Sequence, residues 1–218
     1  TGQWDNVYQV LLDVGIDPGI IDAYNGNSVF PTWTTYLLDD YARLSQYDIV
    51  FVNCGLYEPN NYSFYANAVA NLRKFVQEGG SLYVSDQAYD YVTRAFPGRL
   101  NFIGDENVRN AAQVGKVTDV IQADVVDPFL QAALGTDTIA LHYPLAAWAV
   151  MESVDPSVKT YIVGDAFTMS ATQDTLHQVP HTVGFTEGDG RVVYTSFHQE
   201  PGINPPVEQV LQLLMFEL

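Results

Sequence analysis

Val192-Val193-Tyr194-Thr195-Ser196-Phe197-His198-Gln199-Glu200 reads as a buried strand that ends in a histidine and a glutamate. The run is rich in apolar, aromatic and β-branched residues up to Phe197, as a strand covered on both faces requires. Side chains alternate along a strand, so His198 and Glu200 leave its end on the same side. A carboxylate beside an imidazole fixes its tautomer and raises its basicity, which is the supporting half of a nucleophilic triad. The nucleophile must then come from elsewhere in the chain.

Outward from this strand, Glu187-Gly188-Asp189-Gly190 is a turn, and His181 to Phe185 is the partner arm of a hairpin. Asp48 to Asn53 and Ser81 to Ser85 are further apolar, β-branched runs, expected as buried central strands of a parallel sheet. Between them Tyr62 to Glu78 carries Phe64, Ala68, Leu72, Phe75 and Val76 along one helical side, and Gly79-Gly80 closes it. Near the start, Trp4, Val7, Tyr8, Leu11 and Leu12 have helical spacing up to Gly15, and Ile20 to Tyr24 reads as a short strand. From about Arg99 to Asp165 short strands alternate with turns: Gly115 to Ile121, Thr138 to His142, Trp148 to Met151 and Thr160 to Val163, with a helix over Pro128 to Leu134. This middle part suits an antiparallel elaboration. Pro205-Pro206 opens a last helix, with Asn204 as its cap and Val207, Val210, Leu211 and Leu214 facing the core. The order of elements favours an α/β fold: a flavodoxin-like, doubly wound, mostly parallel sheet with helices on both faces.

Composition bounds the function. The 218 residues are 47% hydrophobic and 16% charged, which fits one packed domain spanning 1–218 and argues against disorder. With 26 acidic against 9 basic residues the net charge is −17, a surface that repels phosphate backbones and anionic membranes. No apolar run reaches the length of a membrane span. A single cysteine, Cys54, excludes an intrachain disulfide and a cysteine-based zinc cluster. Few lysines beside many Asn, Gln, Thr and Tyr point to an extracytoplasmic bacterial protein.

Four segments resemble the class I glutamine amidotransferase-like superfamily. Tyr47-Asp48-Ile49-Val50-Phe51-Val52-Asn53-Cys54-Gly55 is similar to its central strand ending in glycine. Leu72 to Gly80 is similar to the helix that precedes the nucleophile strand. Leu82-Tyr83-Val84-Ser85-Asp86 sits where that strand turns into the nucleophile elbow. Tyr194 to Glu200 resembles the late strand that carries the histidine and glutamate. Together they span most of the chain, and the middle segment is unlike a plain amidotransferase. Active members place a cysteine at the elbow, where a thiolate meets helix N-terminal amides and the histidine. Here the turn reads Ser85-Asp86-Gln87-Ala88, so the resemblance implies a domain without the usual route to glutamine hydrolysis.

The family's first strand, which would precede the helix near Trp4, has no counterpart at the start of this sequence. The expectation is that the chain is part of a longer protein. A strand from upstream residues, a partner protein or another copy of the chain would then be added beside Asp48 to Asn53.

The candidate catalytic residues are Asp86, His198 and Glu200, and the candidate binding residues are Cys54, Gly55, Ser85 and Gln87. Asp86 is either an elbow acid facing His198 or an N-cap for the helix that follows. Ser85 is either a hydroxyl nucleophile or a local cap. Cys54 is either a cleft residue at a strand end or a small buried hydrophobe. Asp86, His198 and Glu200 have the chemistry to hold a divalent metal but lack a spacing signature, so no metal and no cofactor is expected. His142 is isolated, and His177 and His181 lie in a Pro-containing loop, so none is read as a ligand. Asp119, Asp124 and Asp127 lack a calcium-loop pattern and read as a solvated face.

Two functions follow. The first is a catalytically degenerate amidotransferase-like domain with a binding or assembly role. The second is a hydrolase acting on an amide or sugar-type substrate through Asp86, Ser85 or Cys54 with His198 and Glu200.

Overall fold

The computed structural model describes residues 5–24, 37–54, 66–104, 108, 110–198 and 205–215. Gly55, Phe64, Glu200 and Asn204 lie outside the described residues, as do Trp4 and the first residues of the helix expected from Tyr62.

The elements run in this order: helix α1 (Val7–Asp13), helix α2 (Tyr41–Leu44), strand β1 (Ile49–Val52), helix α3 (Ala66–Gln77), strand β2 (Ser81–Ser85), helix α4 (Tyr89–Ala95) and strand β3 (Leu100–Phe102). Strand β4 (Thr118–Val125), helix α5 (Pro128–Leu134) and strands β5 (Thr138–Tyr143), β6 (Met151–Val154), β7 (Lys159–Phe167), β8 (Thr175–Glu187) and β9 (Gly190–Thr195) follow, and helix α6 (Pro205–Met215) is last. A seven-stranded sheet has the order β1-β2-β9-β8-β7-β4-β5, while β3 and β6 form a separate pair. Strands β1, β2 and β9 are parallel neighbours. The remaining pairings are antiparallel, so β1, β2, β9, β7 and β5 point one way and β8 and β4 the other. This is the α/β sheet expected, with its antiparallel extension in the middle and C-terminal part. None of the described helices is long and apolar enough to cross a membrane.

Every residue of β2 is buried. Successive side chains point to opposite faces, so both faces there must be covered. Helix α3 packs on β2 and β9. Its Ala68, Leu72, Phe75 and Val76 are buried at helical spacing, and full burial of the larger three is worth about 1.5–3 kcal/mol each. Gly79, at φ +107, turns the chain out of the helix while Gly80 N–H reaches back to the Phe75 carbonyl at 2.9 Å. The β8–β9 turn then seats on this helix end. A Cβ on Gly190 would stand 2.1 Å from the Val76 carbonyl oxygen, so only glycine permits the approach. At the far end of the sheet α5 packs on β4, and α6 packs on α5 and β5. Val207, Val210, Leu211 and Leu214 of α6 are buried as their spacing required.

Several local readings are corrected. Ile20 to Tyr24 is not a strand. Asp17 caps a 3-10 turn over Pro18–Ile20 by accepting from Gly19 N–H, and Ile20 is left 77% exposed. A capping carboxylate and a proline with its φ preset outweigh the β-branched residues there. β1 is not central: among the described residues it ends the sheet, and only Val50 of its four residues is buried. His177 and His181 lie within β8 and not in a loop. Irregular register with β7 and the positive φ of Gln178 absorb Pro180. Asp127 is not solvated. It is buried, caps α5 through Leu130 N–H at 2.9 Å and pairs with Lys159 at 2.9 Å.

Candidate functional site

The parallel strands β1, β2 and β9 end at one edge of the sheet, and the next residues along each strand converge there. Cys54 follows β1, Asp86 follows β2 and His198 follows β9. His198 Nε2 is 2.7 Å from Asp86 Oδ2 and 3.2 Å from Cys54 Sγ, and Cys54 Sγ is 3.5 Å from Asp86 Oδ2. The cluster is nearly closed to solvent: Cys54 and Asp86 are buried and the His198 side chain is 10% exposed.

Asp86 occupies a strained turn. Its φ is +41, a left-handed value uncommon outside glycine, at the junction from β2 into a 3-10 turn over Asp86–Ala88 that runs into α4. This is the elbow geometry. The N-cap reading is corrected, because the carboxylate does not bond the following turn. Its Oδ1 accepts from Ala149 N–H at 2.7 Å, across the fold. Tyr194 Oη donates to the Asp86 carbonyl at 3.0 Å and holds the turn from below. The Ser85 capping reading is corrected too. Ser85 makes no cap; its hydroxyl accepts from Cys54 N–H at 2.9 Å and donates to the buried Asp5 carboxylate. It therefore ties the end of β1 to the elbow. Gln87 contributes twice. Its backbone N–H favours the Cys54 thiolate electrostatically, and its side-chain amide donates to the Ala147 carbonyl at 2.9 Å, two residues from the Ala149 donor.

The electrostatics suppress thiol chemistry. Burial pushes the Cys54 thiol well above its ordinary range, and the Asp86 charge beside it pushes the same way; the Gln87 N–H opposes them only in part. Cys54 is accordingly a protonated, hydrogen-bonded thiol at neutral pH.

Of the residues singled out from the sequence, Asp86, His198, Cys54, Ser85 and Gln87 meet at one place. Glu200 and Gly55 lie outside the described residues. Sequence reasoning missed Asp5, Ala149 and Tyr194. It also missed a second buried network behind the elbow, where Tyr143 Oη lies 2.6 Å from His181 Nδ1 and 2.8 Å from Ser196 Oγ. Asp5 stands at a helix start and reads locally as a cap, a role that Asn6 fills. The Ala149 donor is a backbone amide and leaves no trace in residue types.

No protein-family model matches the chain, and no curated protein does. Solved structures resemble it. A putative ThuA-like protein from Bacteroides uniformis superposes with TM-score 0.60 at 12% identity, over 94% of this chain and 80% of that one. A cytoplasmic protein from Salmonella typhimurium superposes with TM-score 0.55 at 17% identity, over 96% of this chain and 85% of that one. At such identities the likeness shows the fold alone, a flavodoxin-like α/β fold shared with a ThuA-like structure.

Proposed function

We propose that this chain is a catalytically degenerate amidotransferase-like domain that works by binding or assembly within a larger, extracytoplasmic bacterial protein. The observation that carries the reading is Asp86 at the elbow. Its carboxylate is occupied by Ala149 N–H, His198 and the Cys54 thiol, all inside a nearly closed cluster. A carboxylate in that position is a poor acyl-transfer nucleophile, and it raises the barrier to forming the thiolate next to it. Assembly would use the β1 edge, where Ile49–Val52 ends the described sheet and a strand from a partner protein or another copy can add. The composition, poor in lysine and rich in Asn, Gln, Thr and Tyr, supports the extracytoplasmic part.

The test is incubation of the purified chain with glutamine and measurement of released ammonia. The expected rate equals background. Glutaminase activity that is lost in both Cys54→Ser and His198→Ala overturns the reading. Sedimentation velocity at rising concentration tests self-assembly through β1.

One observation favours a second reading, a hydrolase for an amide or sugar-type substrate: Cys54 Sγ lies 3.2 Å from His198 Nε2, the spacing of a nucleophile and its base. A panel of aryl amides and aryl glycosides separates the two, since turnover abolished by His198→Ala selects the hydrolase.

A further inference from the structure

We propose that Cys54, Asp86 and His198 form a binding site for a divalent cation of the zinc class. The proposal names a ligand for the cluster on which the binding reading rests.

The three donors come from three separate strand ends and differ in kind: one sulfur, one carboxylate oxygen and one imidazole nitrogen, mutually within 4.8 Å. Zinc bonds sulfur at about 2.3 Å and nitrogen or oxygen at about 2.0–2.1 Å, so tetrahedral donors stand about 3.3–3.6 Å apart. The Sγ–Oδ2 separation of 3.5 Å already fits, and the Sγ–Nε2 separation of 3.2 Å opens by about 0.3 Å on binding. The Nε2–Oδ2 separation is 2.7 Å, the length of a hydrogen bond, and opens by about 0.6 Å when the bridging proton is replaced by the ion.

The donor set decides the class of ion. Calcium and magnesium require six or more oxygens, and a single carboxylate with a thiol and an imidazole does not supply them. A thiolate with an imidazole suits zinc and its borderline-soft neighbours. Cys54 gives up its proton to solvent on binding, and the thiolate and carboxylate charges then balance a dication.

The surroundings are arranged as a support for ligands. Asp86 Oδ1 is held by Ala149 N–H at 2.7 Å, which leaves Oδ2 as a single aimed donor. Ser85 Oγ accepts from Cys54 N–H at 2.9 Å and fixes the Cys54 backbone. Such outer contacts orient ligands and tune their affinity. The fourth corner falls to a water or a bound group, with His198 the member of the trio that meets solvent.

Cobalt(II) is the probe. The reduced, chelator-treated full chain is titrated with Co²⁺ and followed by absorbance. The expected result is one equivalent bound, with a thiolate-to-cobalt band in the near ultraviolet, intense visible bands of a four-coordinate ion, and displacement of both by Zn²⁺. Cys54→Ser should lose the near-ultraviolet band, and Asp86→Asn and His198→Gln should each weaken binding at least about tenfold. Circular dichroism establishes that each variant is folded. Should Cys54→Ser not fold, the wild-type near-ultraviolet band itself reports thiolate ligation. Absence of the near-ultraviolet band at saturating Co²⁺, or unchanged affinity in folded Asp86→Asn and His198→Gln, overturns the proposal. That failure leaves the non-glutaminase reading standing, since the ammonia assay decides it separately.

Discussion

His198 Nε2 stands 2.7 Å from Asp86 Oδ2, and the pair links the chain leaving β9 to the strained turn after β2. Both side chains are nearly closed to water, so the contact offsets hydration that each loses on burial. His198→Ala leaves the carboxylate buried with only the Ala149 amide and a thiol. The expected cost is about 3 kcal/mol, as when a buried carboxylate loses a hydrogen-bond partner. Asp86→Asn keeps the shape, accepts from the same amide and tolerates a positive φ, so it should cost less, about 1–2 kcal/mol. Urea denaturation of the two variants measures the order, and equal midpoints would show that the pair is not what holds this corner.

Why the fold was legible and the site only partly so follows from particular residues. Helix α3 was readable because Ala68, Leu72, Phe75 and Val76 repeat at 3.6 residues, and β2 because an apolar run of strand length needs cover on both faces. The place of β1 at the end of the described sheet was not readable. Ile49 to Val52 is as apolar as a central strand, and strand order depends on pairings over long sequence separations. At the site, the types and positions of Cys54, Asp86 and His198 were visible, but their partners were not. Local rules assign an aspartate before a helix to capping, whereas Asp86 bonds an amide 63 residues away. A backbone donor such as Ala149 N–H is common to every residue except proline.

Cys54 should resist alkylation while the chain is folded. Burial first, and the Asp86 charge second, hold the thiol above its ordinary range, and only the thiolate reacts. At pH 8 the rate with iodoacetamide should be at least about tenfold below that of the urea-unfolded chain. Asp86→Asn removes the lesser of the two causes, so it should recover only part of the difference. A mass-spectrometric time course reads this directly, and labelling of native chain as fast as unfolded chain would contradict the closed geometry.

His181 makes stability fall in mild acid. It is fully buried beside Tyr143 and Ser196, and burial lowers its pKa from the ordinary 6.5 to about 4. The folded value lies below the unfolded one, so the unfolded chain takes up the proton first. The contribution is whole above about pH 6.5 and is lost as pH falls through that value towards 4, amounting to about 3 kcal/mol. His181→Gln should unfold with less difference between pH 7 and pH 4.5 than the wild type. Comparing the two chains cancels the carboxylates, among them Glu187 and Asp155, whose pKa values are lowered by hydrogen bonds from Arg99 and Ser157. Parallel stability curves across this range would remove His181 as the cause.

Gly190 and Gly79 separate two reasons for glycine at one junction. Gly79 needs glycine for its backbone: φ is +107, and the nearest atom to an added Cβ is the Asp189 Cβ at 4.0 Å, an ordinary contact. Gly79→Ala should therefore cost the conformational penalty alone, about 1–2 kcal/mol. Gly190 needs it for space, since its Cβ would fall 2.1 Å from the Val76 carbonyl oxygen and 2.2 Å from that of Gly80. These are backbone atoms at the closing turn of α3 and cannot rotate aside. Relief requires β9 to lift from the helix end, which strains its pairing with both β2 and β8. Gly190→Ala should cost about 3 kcal/mol or more, at the upper end of overpacking. Urea denaturation of the two variants measures this, and equal costs would refute the distinction.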